Sequence, residues 1–153
     1  MDHELTPQDL RTLQTAPLWV LSAILGRQNR FDPQELAAFW RALDDTAAGS
    51  AGLANAVLVA LSADFSTRLR EHEHEERSVV TGLWDVTAIL SRLDSLVAAP
   101  FATALLEVGE QLSRARGAFG KVISREDGQT LALLAALLEI GPAAGTFDED
   151  AFA

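Results

Sequence analysis

The sequence predicts an all-α protein, a compact bundle of about seven helices built on a duplicated helix-turn-helix unit with pseudo-twofold packing. Three observations point there. Alanine and leucine are abundant, tyrosine is absent, and no apolar run alternates with a period of two. Apolar residues recur instead at helical spacing, as at Leu36, Phe39, Trp40 and Leu43. Proline-led caps punctuate these stretches, at Thr6-Pro7 and again at Asp32-Pro33.

Each element follows from its residues. Thr6-Pro7-Gln8-Asp9 opens a short helix to about Gln14, with Thr6 as cap and Asp9 as the reciprocal acceptor. A second helix is expected from Pro17 to about Gln28. Its segment Leu18 to Leu25 is apolar at every position but Ser22, which places it at the centre of the bundle. Asp32-Pro33-Gln34-Glu35 starts a third, to about Asp45: Asp32 can accept from the Glu35 amide while Glu35 reaches back, and Phe31 and Leu36 flank the cap as a hydrophobic staple. Thr46 to Gly52 is small and glycine-containing, hence a loop. A fourth helix runs from Leu53 through Val57, Leu61, Phe65 and Leu69; steps of four drift around a helix, so it should touch more than one neighbour. A fifth, from about Arg77 to Leu93, carries Val79, Leu83, Val86 and Leu90. Pro100 starts a sixth, with Phe101, Leu105, Val108 and Leu112 on one face, and Ser113 to Gly120 connects it onward. Ser124-Arg125-Glu126-Asp127 caps a seventh, which Gly141-Pro142 stops. Residues 1–5 and 142–153 read as loose tails of one domain spanning 1–153.

Composition excludes several classes. The net charge is −10, from 12 basic and 22 acidic residues. Such a surface repels phosphate backbones, and Arg68/Arg70 and Arg114/Arg116 are isolated pairs rather than a basic patch, so nucleic acid is not an expected partner. No apolar run reaches membrane length, and the polar, acidic N-terminus does not read as a secretory leader. The absence of cysteine rules out disulfides and thiolate metal sites and fits a reducing, cytoplasmic setting. G-x-S-x-G, H-E-x-x-H and glycine-rich phosphate loops are missing, and none of His3, His72 and His74 stands beside a motif serine, so the expectation is a protein without enzymatic activity.

The chain echoes itself. Setting Ala16-Pro17 against Ala99-Pro100 places Gly26 on Gly109 and Gln28 on Gln111. Allowing for a longer second connection, Phe31-Asp32 falls on Ile123-Ser124, Glu35 on Asp127 and Phe39 on Leu131. Ala16-Pro17-Leu18-Trp19-Val20 and Phe31-Asp32-Pro33-Gln34-Glu35-Leu36, followed by Phe119-Gly120-Lys121 and Ile123-Ser124-Arg125-Glu126-Asp127, resemble the TerB-like family, small all-helical tellurite-resistance-type proteins. The resemblance covers Ala16 to Leu138. It implies a compact bundle with two-part symmetry, acting as a non-enzymatic module in stress or metal-resistance systems, with carboxylates suspected of binding cations. A protein partner is implied, with a second copy of the chain among the candidates. The chain departs from the pattern at Gln28-Asn29, where the family has Asp-Gly. One ligand charge is thereby lost, which weakens any oxygen-ligand cation site.

Two sets of residues qualify as metal ligands. Asp32 and Glu35 offer two hard oxygens, with Asp127 across the pseudo-twofold; helix capping accounts for the same residues. In the run Glu71-His72-Glu73-His74-Glu75-Glu76, His72 and Glu76 have helical i, i+4 spacing, and His72 and His74 would converge in an extended loop. The plainer expectation is a solvated acidic turn. Neither set implies more than a weakly held divalent cation, and no other cofactor is expected. Trp19, Trp40 and Trp84 all lie on helical faces and are expected in the core.

Overall fold

In the computed structural model, described over residues 5–26, 30–116 and 123–138, the described residues form seven α-helices and no strand. They are α1 (Pro7–Leu25), α2 (Pro33–Ala48), α3 (Gly52–Ala63), α4 (Phe65–Glu73), α5 (Val79–Leu90), α6 (Ser95–Arg116) and α7 (Arg125–Leu137). The caps form as the sequence predicts. Thr6 Oγ1 accepts from the Asp9 amide at 3.0 Å, and Asp9 accepts from the Thr6 amide at 3.1 Å. Asp32 and Glu35 make the same reciprocal pair at 2.8 and 2.9 Å. Ser124 Oγ accepts from the Asp127 amide at 3.1 Å. A further cap, Ser78 at the head of α5, accepts from the Thr81 amide at 3.2 Å.

The expected number of helices is met by a different division of the chain. The short first helix and the central second are one: α1 runs through Pro17 without a break. Proline has no N–H for the Leu13 carbonyl, a loss that ordinarily ends or bends a helix. Here Leu13, Ala16, Leu18, Trp19, Val20 and Leu21 are all buried, and packing on every side holds the helix together across the gap. Conversely, the predicted fourth helix is two. Asp64 leaves helical geometry at φ −118°, so Leu53, Val57 and Leu61 belong to α3 while Phe65 and Leu69 begin again on α4. The sixth helix starts at Ser95, with Pro100 in its interior, and continues to Arg116, so Ser113 is a buried helical residue rather than part of a connection.

α1 lies at the centre and packs against α3, α4, α5, α6 and α7. α2 covers α3 and α6 from the other side. One contiguous cluster of buried apolar residues, from Leu13 to Leu138, draws on every helix but α4, whose Phe65 and Leu69 pack half-buried against it. Leu5, expected in a loose tail, packs against that cluster; residues 1–4 and 142–153 lie outside the described set. Of the tryptophans, only Trp19 is in the core. Trp40 is 43% exposed and Trp84 58%, against expectation. On α5 the buried face is Gly82, Leu83, Val86, Ile89 and Leu90, which turns Trp84 outward. On α2 the buried face centres on Phe39, Ala42, Leu43 and Thr46, leaving Trp40 at its edge against Phe65.

The echo survives in local logic. In chain order α1–α2 and α6–α7 each set a long, proline-containing helix before one capped by an oxygen-bearing side chain, but in space α6 packs on α7 whereas α2 packs on α3 and α6 and scarcely touches α1. The aligned glycines do different work. Gly26 ends α1 in the left-handed conformation, φ 75°. Gly109 sits inside α6, where a Cβ would press on Leu131 at 2.9 Å and Val20 at 3.2 Å. Gln28 and Asn29, where the chain departs from the family pattern, are outside the described residues.

Candidate functional site

One face of α1 is polar along its first half. Gln8, Arg11, Thr12 and Thr15 recur at helical spacing, and Trp19 and Ser22 continue the line into the core. The C-terminal turn of α4 and the segment leading to α5 lie opposite, and between them is a cavity of about 670 Å³. Glu71, His72, Glu75 and Arg77 form its second wall.

His72 is the residue the sequence misplaces most. The acidic run was expected as a solvated turn, yet α4 extends through Glu73 and leaves His72 only 4% exposed. Its Nε2 is hydrogen-bonded to Ser22 Oγ at 2.7 Å, and Ser22 is itself 1% exposed. The imidazole meets the Trp19 ring edge-on, centroids 4.7 Å apart. Burial pushes the imidazolium down to about 4, with Arg77 adding to the effect and Glu75 opposing it. His72 is therefore neutral at pH 7. A signal for this pair was present in the sequence: Ser22 is the lone polar residue in an apolar helix, and a buried hydroxyl requires a partner. Nothing in the sequence names that partner, fifty residues away.

Arg77 fixes the far wall. It grips Glu75 with two nitrogens, at 2.9 and 3.0 Å, is hydrogen-bonded to Asp85 on α5, and lies over the Trp19 ring at 5.7 Å. The hydrogen bonds from Arg77 hold the Glu75 carboxyl down at about 2. Glu71 is paired with Arg68 at 2.7 Å. Chemically, Ser22 and His72 hold the two residue types of a nucleophile and its base. Ser22, however, is closed off beneath Trp19 and the imidazole, so the pair ties α4 to α1 rather than presenting an attacking oxygen.

The predicted metal ligands are dispersed. His72 faces Ser22, whereas the exposed His74 directs Nδ1 to the Arg70 carbonyl at 2.9 Å. α4 ends before Glu76, so His72 and Glu76 do not share a helical face. Asp32 and Glu35 are joined in their capping box. Asp127, buried on α7, has its carboxylate 3.5 Å from the Arg116 guanidinium, which also donates to the Ile24 carbonyl at 2.9 Å. Arg116 lines a shallow cavity of about 360 Å³ together with Asp32 and Glu35. The cation beside Asp127 is thus a side chain of the protein itself, while Asp32 and Glu35 are engaged with each other's backbone amides. Among the described residues no three His, Asp or Glu side chains converge as metal ligands would.

The surface carries one further feature. Val80, 55% exposed, and Trp84 lie one turn apart on the outer face of α5. The acidic residues Glu71, Glu73 and Glu76 come just before that helix. No described helix is long and apolar enough to cross a membrane. Compared with known proteins, the chain matches no family model, no curated sequence and no solved structure.

Proposed function

We propose that this is a non-enzymatic interaction module of the TerB-like kind, docking to a protein partner in a stress or metal-resistance setting. The observation that carries the reading is Trp84. An indole more than half exposed, backed by Val80 on the same helical face, is the residue type and setting from which binding hot spots are built. The net charge of −10 favours a partner that offers an apolar slot bordered by lysine or arginine. The alternative, a divalent-cation domain, draws less support. Asp32 and Glu35 engage backbone amides, and Asp127 engages Arg116.

The test is recovery of the native partner by the wild-type chain and by a Val80→Ser, Trp84→Ala double variant. Both side chains are exposed, so the variant should keep its melting temperature, with stability changed by about 0.5 kcal/mol or less. A protein recovered with the wild type should fall about tenfold or more with the variant. Equal recovery by both chains would remove α5 as the docking face.

A further inference from the structure

The cavity between α1 and α4 carries both signs of charge, Arg11 on one wall and Glu71, Glu75 and Arg77 on the other, and the docking reading does not use it. On the α1 side stands Arg11, whose guanidinium has no ion pair or hydrogen bond among the described residues. On the α4 side stand Glu71 and Glu75. The floor is the buried, edge-packed pair of Trp19 and His72, held in place by Ser22 from behind. From these observations we propose that the cavity binds a small zwitterion of the α-amino-acid class, its carboxylate on Arg11 and its ammonium toward Glu71 and Glu75.

Charge decides between ligand classes here. A phosphate or simple carboxylate would meet Arg11 favourably but would also face two glutamates. A simple ammonium ion would face the glutamates but meet Arg11 and Arg77. Only a molecule with both charges, a few bonds apart, is matched by both walls. The volume, about 670 Å³, lies in the range of small-molecule sites and is far too small for a folded partner. The acidic wall is also set in advance: Glu75 is clamped by Arg77, which Asp85 holds in turn, and Glu71 is held by Arg68. Little side-chain freedom is left to lose on that side when a ligand enters.

The proposal is tested by following backbone and His72 resonances while glycine, L-leucine and L-glutamine are titrated into the full-length protein. N-acetyl-leucine and leucinamide, each with one charge removed, serve as controls. Shifts should concentrate at Thr12, Thr15 and His72 and saturate with a dissociation constant on the order of 1 mM or tighter for at least one of the three amino acids. Arg11→Ala and Glu71→Gln, both at exposed positions, should each weaken that binding about tenfold. The proposal is overturned if none of the three moves these resonances, if the N-acetyl or amide form of the amino acid that binds does so as tightly as the amino acid itself, or if both variants bind like the wild type.

Discussion

Ser22 and His72 face one another in the core, and each makes sense only through the other. A hydroxyl and an imidazole buried without partners would each destabilise the fold; together they tie α4 to α1 at 2.7 Å. The arrangement has a defined pH dependence. The folded state keeps His72 neutral down to about 4, whereas an unfolded histidine takes up a proton near 6.5. Between these values the unfolded chain binds more protons, so stability is complete above about pH 6.5 and falls as the pH drops toward 4, by up to about 2 kcal/mol once solvent at the cavity side of the ring is allowed for. Glu75, held at about 2 against its usual 4.5, adds a second loss at lower pH, also in the acid direction. Urea unfolding at pH 7.5 and pH 4.5 measures the first window; a His72→Gln variant should lose most of that difference. Residue-scale features were unevenly legible. Thr6, Asp32 and Ser124 could be read because a cap is written within four consecutive residues. The Ser22–His72 pair could not, because its two halves are joined only by the packing of α4 on α1.

Between elements, α5 approaches α1 closely at Gly82. Gly82 presents bare backbone to the Trp19 indole, and a Cβ at that position would lie well inside van der Waals contact of the ring. Gly82→Ala should therefore destabilise the protein by about 2 kcal/mol, by forcing Trp19 off its rotamer or α5 away from α1. Gly128 in α7 is the control, since nothing lies within 4 Å of its missing Cβ; Gly128→Ala should raise stability by roughly 0.5–1 kcal/mol. Denaturant midpoints for the two variants should move in opposite directions. Helix existence was legible from apolar periodicity, and boundaries were not. Pro17 and Pro100 look like helix starts because local chemistry favours that position. Both lie within helices, and at Pro17 the apolar surface on either side holds α1 together. Asp64 gives no comparable warning, and the step-of-four pattern from Leu53 to Leu69 runs straight across the break at that residue.

For the molecule as a whole, stability should be graded outward from α1. The amides of Leu18 to Ile24 lie in a buried helix surrounded by five others and should exchange with solvent only on global unfolding. α4 is short and buries a single residue, His72, against α1, so its amides should exchange faster, by tenfold or more. Hydrogen exchange read by mass spectrometry distinguishes the two; equal protection would mean that the molecule opens only as a unit. The fold class was legible because amphipathic spacing and caps are local. The inner and outer faces of α5 were not, since which side of Trp84 meets the core depends on where Trp19 and Gly82 meet.

The central place of α1 also sets an order of events. It is synthesised before the helices that cover much of its apolar surface, since α5, α6 and α7 begin only at Val79, Ser95 and Arg125. A chain still emerging from the ribosome would hold its stickiest segment uncovered until most of the remainder had been made. Until those helices have been made, the apolar face of α1 is where the growing chain is most open to aggregation.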